Sequence, residues 1–162
     1  IEQKTIDLFE SMGVMSAIEI KARHEIEIEE YVLRVQIESR VLGDIARNHV
    51  IPTAIRYQNL LIKNVRGLKD IYGADFQKVA KQQIELIESI SNHITAINEA
   101  ITAMTEARKS ANKLKLEDRA TAYNNEVKPF FQTIRYHCDK LELMIEDKLW
   151  PLTKNRELLF VK

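Results

Sequence analysis

Four glycines, three prolines and one cysteine are all that 162 residues hold of the types that bend or staple a chain. So few turn-formers leave little material for connections, and long helices joined by few loops are the expectation. One cysteine, Cys138, cannot form an internal disulfide, and a reduced, cytoplasmic setting suits it. No apolar run approaches the roughly 18 residues of a membrane span, and no signal peptide opens the chain. Nor is there an excess of either charge: 24 Lys and Arg balance 24 Asp and Glu. The balance is nearly local, with ten acids and six bases in residues 1–50, five and six in 51–100, and nine and twelve in 101–162. No phosphate-binding footprint stands out, so neither nucleic acid nor a membrane is an expected partner.

What the chain does have is apolar periodicity. Across residues 120–150, steps of three and four pick out Ala120, Tyr123, Val127, Phe130, Ile134, His137, Leu141 and Met144. Seven of these eight are apolar or aromatic, and the spacing holds them on one stripe of a helix. Phe131, Cys138, Ile145 and Leu149 widen that stripe into a face. A second heptad runs Phe76, Ala80, Gln83, Ile87, Ile90, Ile94, Ile97, Ile101 and Met104, with Gln83 its one polar member.

These patterns predict an all-α antiparallel bundle of long helices in one domain. A short N-terminal helix carries Ile6, Phe9 and Met12 and closes at Gly13. Ser16 and Glu19 have capping-box spacing, so the next helix should begin near Ala17. It spans about 17–48, with apolar residues on two sides: Ala22, Ile26, Leu33, Ile37 and Val41 on one, Ile28, Val32, Val35 and Leu42 on the other. A helix of that kind lies between neighbours. Pro52 kinks or breaks the run before a segment over about 50–72, and the lack of glycine there favours a kink. Helices over 75–112 and 117–149 follow, the last ended by Pro151. The final residues are expected as an irregular tail whose Leu158, Leu159 and Phe160 require a covering surface.

Few residues point to chemistry. His137 interrupts an apolar stripe, where a packed histidine with hydrogen-bonded ring nitrogens is the simpler reading than a ligand or base. His24-Glu25-Ile26-Glu27-Ile28 lacks the second histidine of a zinc-protease motif, and no Glu-x-x-His pair of a di-iron bundle occurs. Glu25, Glu27, Glu29 and Glu30 form an acidic run that points around much of its helix and is read as solvated. Arg108, Lys109, Lys113 and Lys115 make a basic connection, also read as solvated. There is no glycine-rich phosphate loop, and Cys138 has no placed base. No catalytic, cofactor-binding or metal residue is therefore assigned.

Three stretches resemble the C-terminal helical region of type III glutamine synthetases, the large bacterial branch of that enzyme class. They are IEIEEYVLRVQIESRVLGDIARNHVIPTAIRYQN (residues 26–59), NVRGLKDIYG (64–73) and EVKPFFQTIRYHCDKLELMIEDKLWPLTKNRELLF (126–160). One departure is visible, at Thr153 and Asn155, where the family's tail carries proline and tyrosine. The resemblance implies a parent enzyme that joins glutamate and ammonia at the expense of ATP, with Mg²⁺ or Mn²⁺, through a γ-glutamyl phosphate. It also implies that the catalytic domain precedes this region, so the segment alone is expected to be inactive and to hold no cofactor. Its partners would be that domain and neighbouring subunits of a homo-oligomer. The start at Ile1 suits a piece of a longer polypeptide. The other reading from the residues is a free-standing helical adaptor that takes a partner helix in a groove.

Overall fold

The computed structural model describes residues 2–159. It is an all-α bundle, with no strand among the described residues. Among the described residues eight α-helices follow in order: α1 Gln3–Ser11, α2 Ala17–Ile45, α3 Ile51–Tyr72, α4 Phe76–Val79, α5 Lys81–Ala111, α6 Leu116–Ala122, α7 Pro129–Met144 and α8 Asn155–Leu158. The chain clusters into two compact units. One comprises Ile1–Ser39 and Met104–Pro129, the other Arg40–Ala103 and Phe130–Lys162.

The first unit buries Ile6, Ile20, Val32, Val35, Met104, Ala111, Ala122, Tyr123 and Val127. Gly13 takes φ 62° after α1, a left-handed torsion that glycine adopts without strain. Met12, counted above in the α1 stripe, is 65% exposed, because α1 has already ended at Ser11. Ser16 Oγ accepts from the Glu19 amide at 3.3 Å, and α2 starts at Ala17 as its cap spacing predicts. The Glu19 side chain does not return to the cap; it pairs with Arg23, while Glu10 accepts from the Ala17 amide. Tyr123 is fully buried and donates its hydroxyl to Asn112 Oδ1 at 2.8 Å, tying the end of α5's connection to the following helix.

In the second unit Ile90, Ile97, Ile134 and Leu141 are each 0% exposed. The two heptads read from the sequence are therefore the two core stripes. Phe76, Gln83, Ile87 and Ile94 of the first, and Phe130, His137 and Met144 of the second, are half-buried beside them.

Pro52 neither breaks nor reverses the helix. Residues Ala46–Val50 form a π-helical turn, and the Ile51 amide bonds to the Ala46 carbonyl five residues back. The torsions at Ile45, Val50 and Ile51 all stay right-handed helical. Widening the turn takes up the missing Pro52 donor and relieves the ring's clash with the preceding turn. The same device recurs at Tyr123–Val127, just ahead of Pro129, with the Lys128 amide donating to the Tyr123 carbonyl at 3.0 Å.

Three predicted boundaries need correction. The helix expected over 75–112 is broken at Ala80, which adopts φ −94°, ψ 8° between α4 and α5. The helix expected over 117–149 ends at Met144. There the Lys154 ammonium donates to the carbonyls of Glu142 (2.9 Å) and Ile145 (3.2 Å), acceptors that another helical turn would have used. Finally, the tail is not wholly irregular. Residues 155–158 form α8, whose first turn is closed by Glu157 accepting from the Lys154 amide at 3.0 Å. Leu158 and Leu159 are 57% and 80% exposed, and Phe160 lies outside the described residues.

Candidate functional site

His137 meets a partner that the sequence reading missed. Its Nδ1 lies 2.8 Å from Nδ1 of His93, with the rings tilted by 56° and their centroids 5.1 Å apart. One ring nitrogen must donate and the other accept, so the pair links α5 to α7 by a single shared proton. Burial first, then the charges of His137 and Lys140, holds His93 below the usual imidazole range. Tyr136 meets His137 edge-on, and the Lys140 ammonium lies 5.3 Å from the Tyr136 ring centre. A signal for this pairing existed: Ile90, His93 and Ile97 keep the 3-4 spacing of the α5 stripe, as His137 does in the α7 stripe.

The second polar cluster sits at the C-terminal end of α7. Lys154 is 7% exposed, yet its ammonium has three acceptors: the two α7 carbonyls and the Asp147 carboxylate at 2.5 Å. Arg156 also bonds Asp147, and Glu142 Oε1 accepts from the Asn155 amide at 2.8 Å. Hydrogen bonds from Lys154 and Arg156 hold the Asp147 carboxyl below its ordinary value. Asp139, Glu142, Asp147, Lys154 and Arg156 line a cavity of about 210 Å³ there. Its charges are satisfied by one another and by backbone, so the cluster straps the tail to α7.

The remaining candidates stay apart. Cys138 is half-buried, and burial together with Asp139 pushes its thiol up to about 12, the opposite of an activated nucleophile. His24 and Glu25 border a shallow cavity of about 240 Å³ with Ile6, Lys21 and Glu117. Glu25, Glu27, Glu29 and Glu30 are all exposed on α2. Of the basic connection, Lys109 pairs with Glu106 at 2.7 Å, while Lys113 and Lys115 are exposed. Among the described residues no three His, Cys, Asp or Glu side chains are grouped to hold a metal ion. No helix of the described residues is long and apolar enough to cross a membrane.

Apolar surface is the larger feature. On α2, Val32 and Val35 are buried, and Ile28 and Leu42 half-buried, on one side. The other side leaves Ile26, Leu33, Ile37 and Val41 between 50% and 55% exposed. Only one of the two apolar sides read in the sequence is covered.

Residues 1–69 match the family model for the glutamine synthetase C-terminal domain. The chain is 44% identical over 151 residues to a glutamine synthetase of Bacteroides fragilis (strain YCH46), an alignment covering 92% of this chain and 21% of that protein. It is 29% identical to a type-3 glutamine synthetase of Dictyostelium discoideum, across 99% of this chain and 22% of the relative. A glutamine synthetase of Butyrivibrio fibrisolvens is 24% identical, again across 99% of this chain and 23% of the relative. The chain thus spans about a fifth of the length of the curated relatives it matches. The chain is therefore similar to the glutamine synthetase C-terminal domain over residues 1–69, and to glutamine synthetases over most of its own length.

Proposed function

We propose that this chain is a non-catalytic helical domain of a glutamine synthetase, serving to pack domains or subunits of the parent enzyme. The parent's reaction would be the ATP-dependent ligation of glutamate and ammonia. The observation that carries the packing role is the uncovered side of α2, where four large aliphatic residues stand half exposed on a helix whose other side is already in the core. Singly exposed apolar residues are ordinary on a protein surface, but a stripe of them along one helix marks an interaction face.

The residues present do not fit ATP or its Mg²⁺ or Mn²⁺. The carboxylates of α2 diverge, those at the end of α7 are engaged by Lys154, Arg156 and backbone, and no trio is grouped for a cation among the described residues. Nucleotide and metal would belong to the remaining four-fifths of the parent, and the segment alone is expected to make no glutamine.

Truncation of the parent enzyme just before Ala17 tests this reading. The shortened enzyme should lose its assembled state in sizing chromatography with light scattering, and its glutamine formation with it. A truncated enzyme that assembles and turns over like the intact one would refute the packing role.

A further inference from the structure

The exposed stripe of α2 is bordered by charges arranged with opposite polarity along the helix. At 100° per residue Ile26, Leu33 and Ile37 lie within about 40° of one another, with Val41 about 40° further round. Glu29 and Arg40 border one edge of this stripe, and Glu30 and Arg34 the other. All four charged side chains are exposed, and none forms an ion pair within the described residues. Glu19 and Arg23, one turn before the stripe, do pair with each other. Of the acidic run noticed in the sequence, Glu29 and Glu30 thus lie towards the N-terminal end of this face, with Arg34 and Arg40 towards its C-terminal end.

We infer that α2 docks on α2 of a second copy of this chain, antiparallel, about a two-fold axis beside Leu33 and Arg34. The inference rests on the reading that the domain packs subunits, and it names the face and its occupant. Such an axis sets Ile26 of one copy against Val41 of the other and brings the two Leu33 side chains together. In an antiparallel helix pair like edges meet, so Glu29 faces Arg40 of the second copy on one edge and Glu30 faces its Arg34 on the other. By two-fold symmetry each of these pairs occurs twice. A parallel two-fold arrangement would instead bring unlike edges together, opposing Glu29 to Glu30 of the second copy on both edges and leaving Arg40 opposite no acid of this set. Complementary charge therefore selects a second copy of the helix in one direction. The stripe is roughly 22 Å long, from Ile26 to Val41, so the contact is short for a helix pair and the association should depend on concentration.

The test is light scattering on the 162-residue chain across a concentration series, with charge-swapped variants. The chain should pass from monomer to dimer as concentration rises. Glu29→Arg alone, or Arg40→Glu alone, sets like charges together at two symmetric places and should raise the dimer dissociation constant about tenfold or more. The double variant E29R/R40E restores opposite charges with their signs exchanged, and should return the constant to within about threefold of the parent's. These positions are exposed, and circular dichroism on each variant confirms that the helix content is unchanged. A chain that stays monomeric at every concentration overturns the inference. A dimer that the single variants leave untouched, or that the double variant fails to rescue, overturns it equally. These outcomes are separable from the packing role itself. If the chain is monomeric while truncation before Ala17 still disassembles the parent, the domain packs subunits through another occupant of this face. If truncation has no effect, the packing reading fails whatever the chain does alone.

Discussion

Lys154 shows how one residue can end a helix from outside it. Its ammonium takes the Glu142 and Ile145 carbonyls and the Asp147 carboxylate, all while the residue is 7% exposed. Lys154→Met keeps the aliphatic stem but leaves three acceptors short of a donor, and should cost about 1–3 kcal/mol in urea unfolding. Asp147 adds a pH signature. Its folded carboxyl is held low by hydrogen bonds from Lys154 and Arg156, so the unfolded chain takes up this proton first on acidification. That part of stability is complete above the ordinary aspartate range and is lost as pH falls through the lowered value. Cys138 makes a second prediction at this scale. With its thiol pushed up to about 12, almost no thiolate exists at neutral pH. Iodoacetamide should therefore label the native protein far more slowly than the urea-unfolded chain, as mass spectrometry of the two would show. The burial of Cys138 on an apolar face was readable from sequence, but the Lys154 strap was not, because Lys154 is one charged residue in an expected irregular tail and its carbonyl acceptors lie twelve and nine residues away.

At the scale of elements, the α5–α7 contact contains a titratable joint. While at most one proton is shared, His93 and His137 bridge the helices; with both rings protonated each has only donors to offer, and the bridge is lost. Burial, His137 and Lys140 lower the His93 value, so between the folded and unfolded values the unfolded chain binds more protons. The contribution of this pair is complete above the unfolded value of about 6.5 and falls away as pH drops from there through the folded value. Chemical unfolding of the wild type should weaken across that window, and the slope should flatten in His93→Asn, which removes the shifted group. The stripes that position these histidines were legible because burial demands one face and a helix gives it a 3-4 period. The interruptions were less so. Pro52 was visible as a disturbance, but its outcome depended on whether the preceding turn could widen. Pro129 carries the same device, with Val50 and Val127 each buried two residues ahead of its proline. The break at Ala80 has no such marker, since alanine is the best of helix formers.

For the whole molecule, stability rests on a core drawn from residues distant in sequence, and the exposed stripes contribute little to it. Ile134→Ala removes a side chain with no exposure and should cost about 2–5 kcal/mol, whereas Ile18→Ala, at 82% exposure, should stay within about 0.5 kcal/mol in the same unfolding experiment. The fold class and the location of the core followed from patterning. That one apolar side of α2 would stay uncovered did not, because periodicity says which residues are greasy and not which of two neighbours is present. The wide turns at residues 46–50 and 123–127 have one more effect, on how this chain can change over generations. Each spends one extra residue on a revolution, so losing a residue there can close the turn to an ordinary helical one and leave later side chains facing as before. A deletion in the regular helix on either side would instead swing them by about 100°. Within those ten positions, what is held fixed is the buried set Ala46, Val50, Tyr123 and Val127 rather than the count of residues.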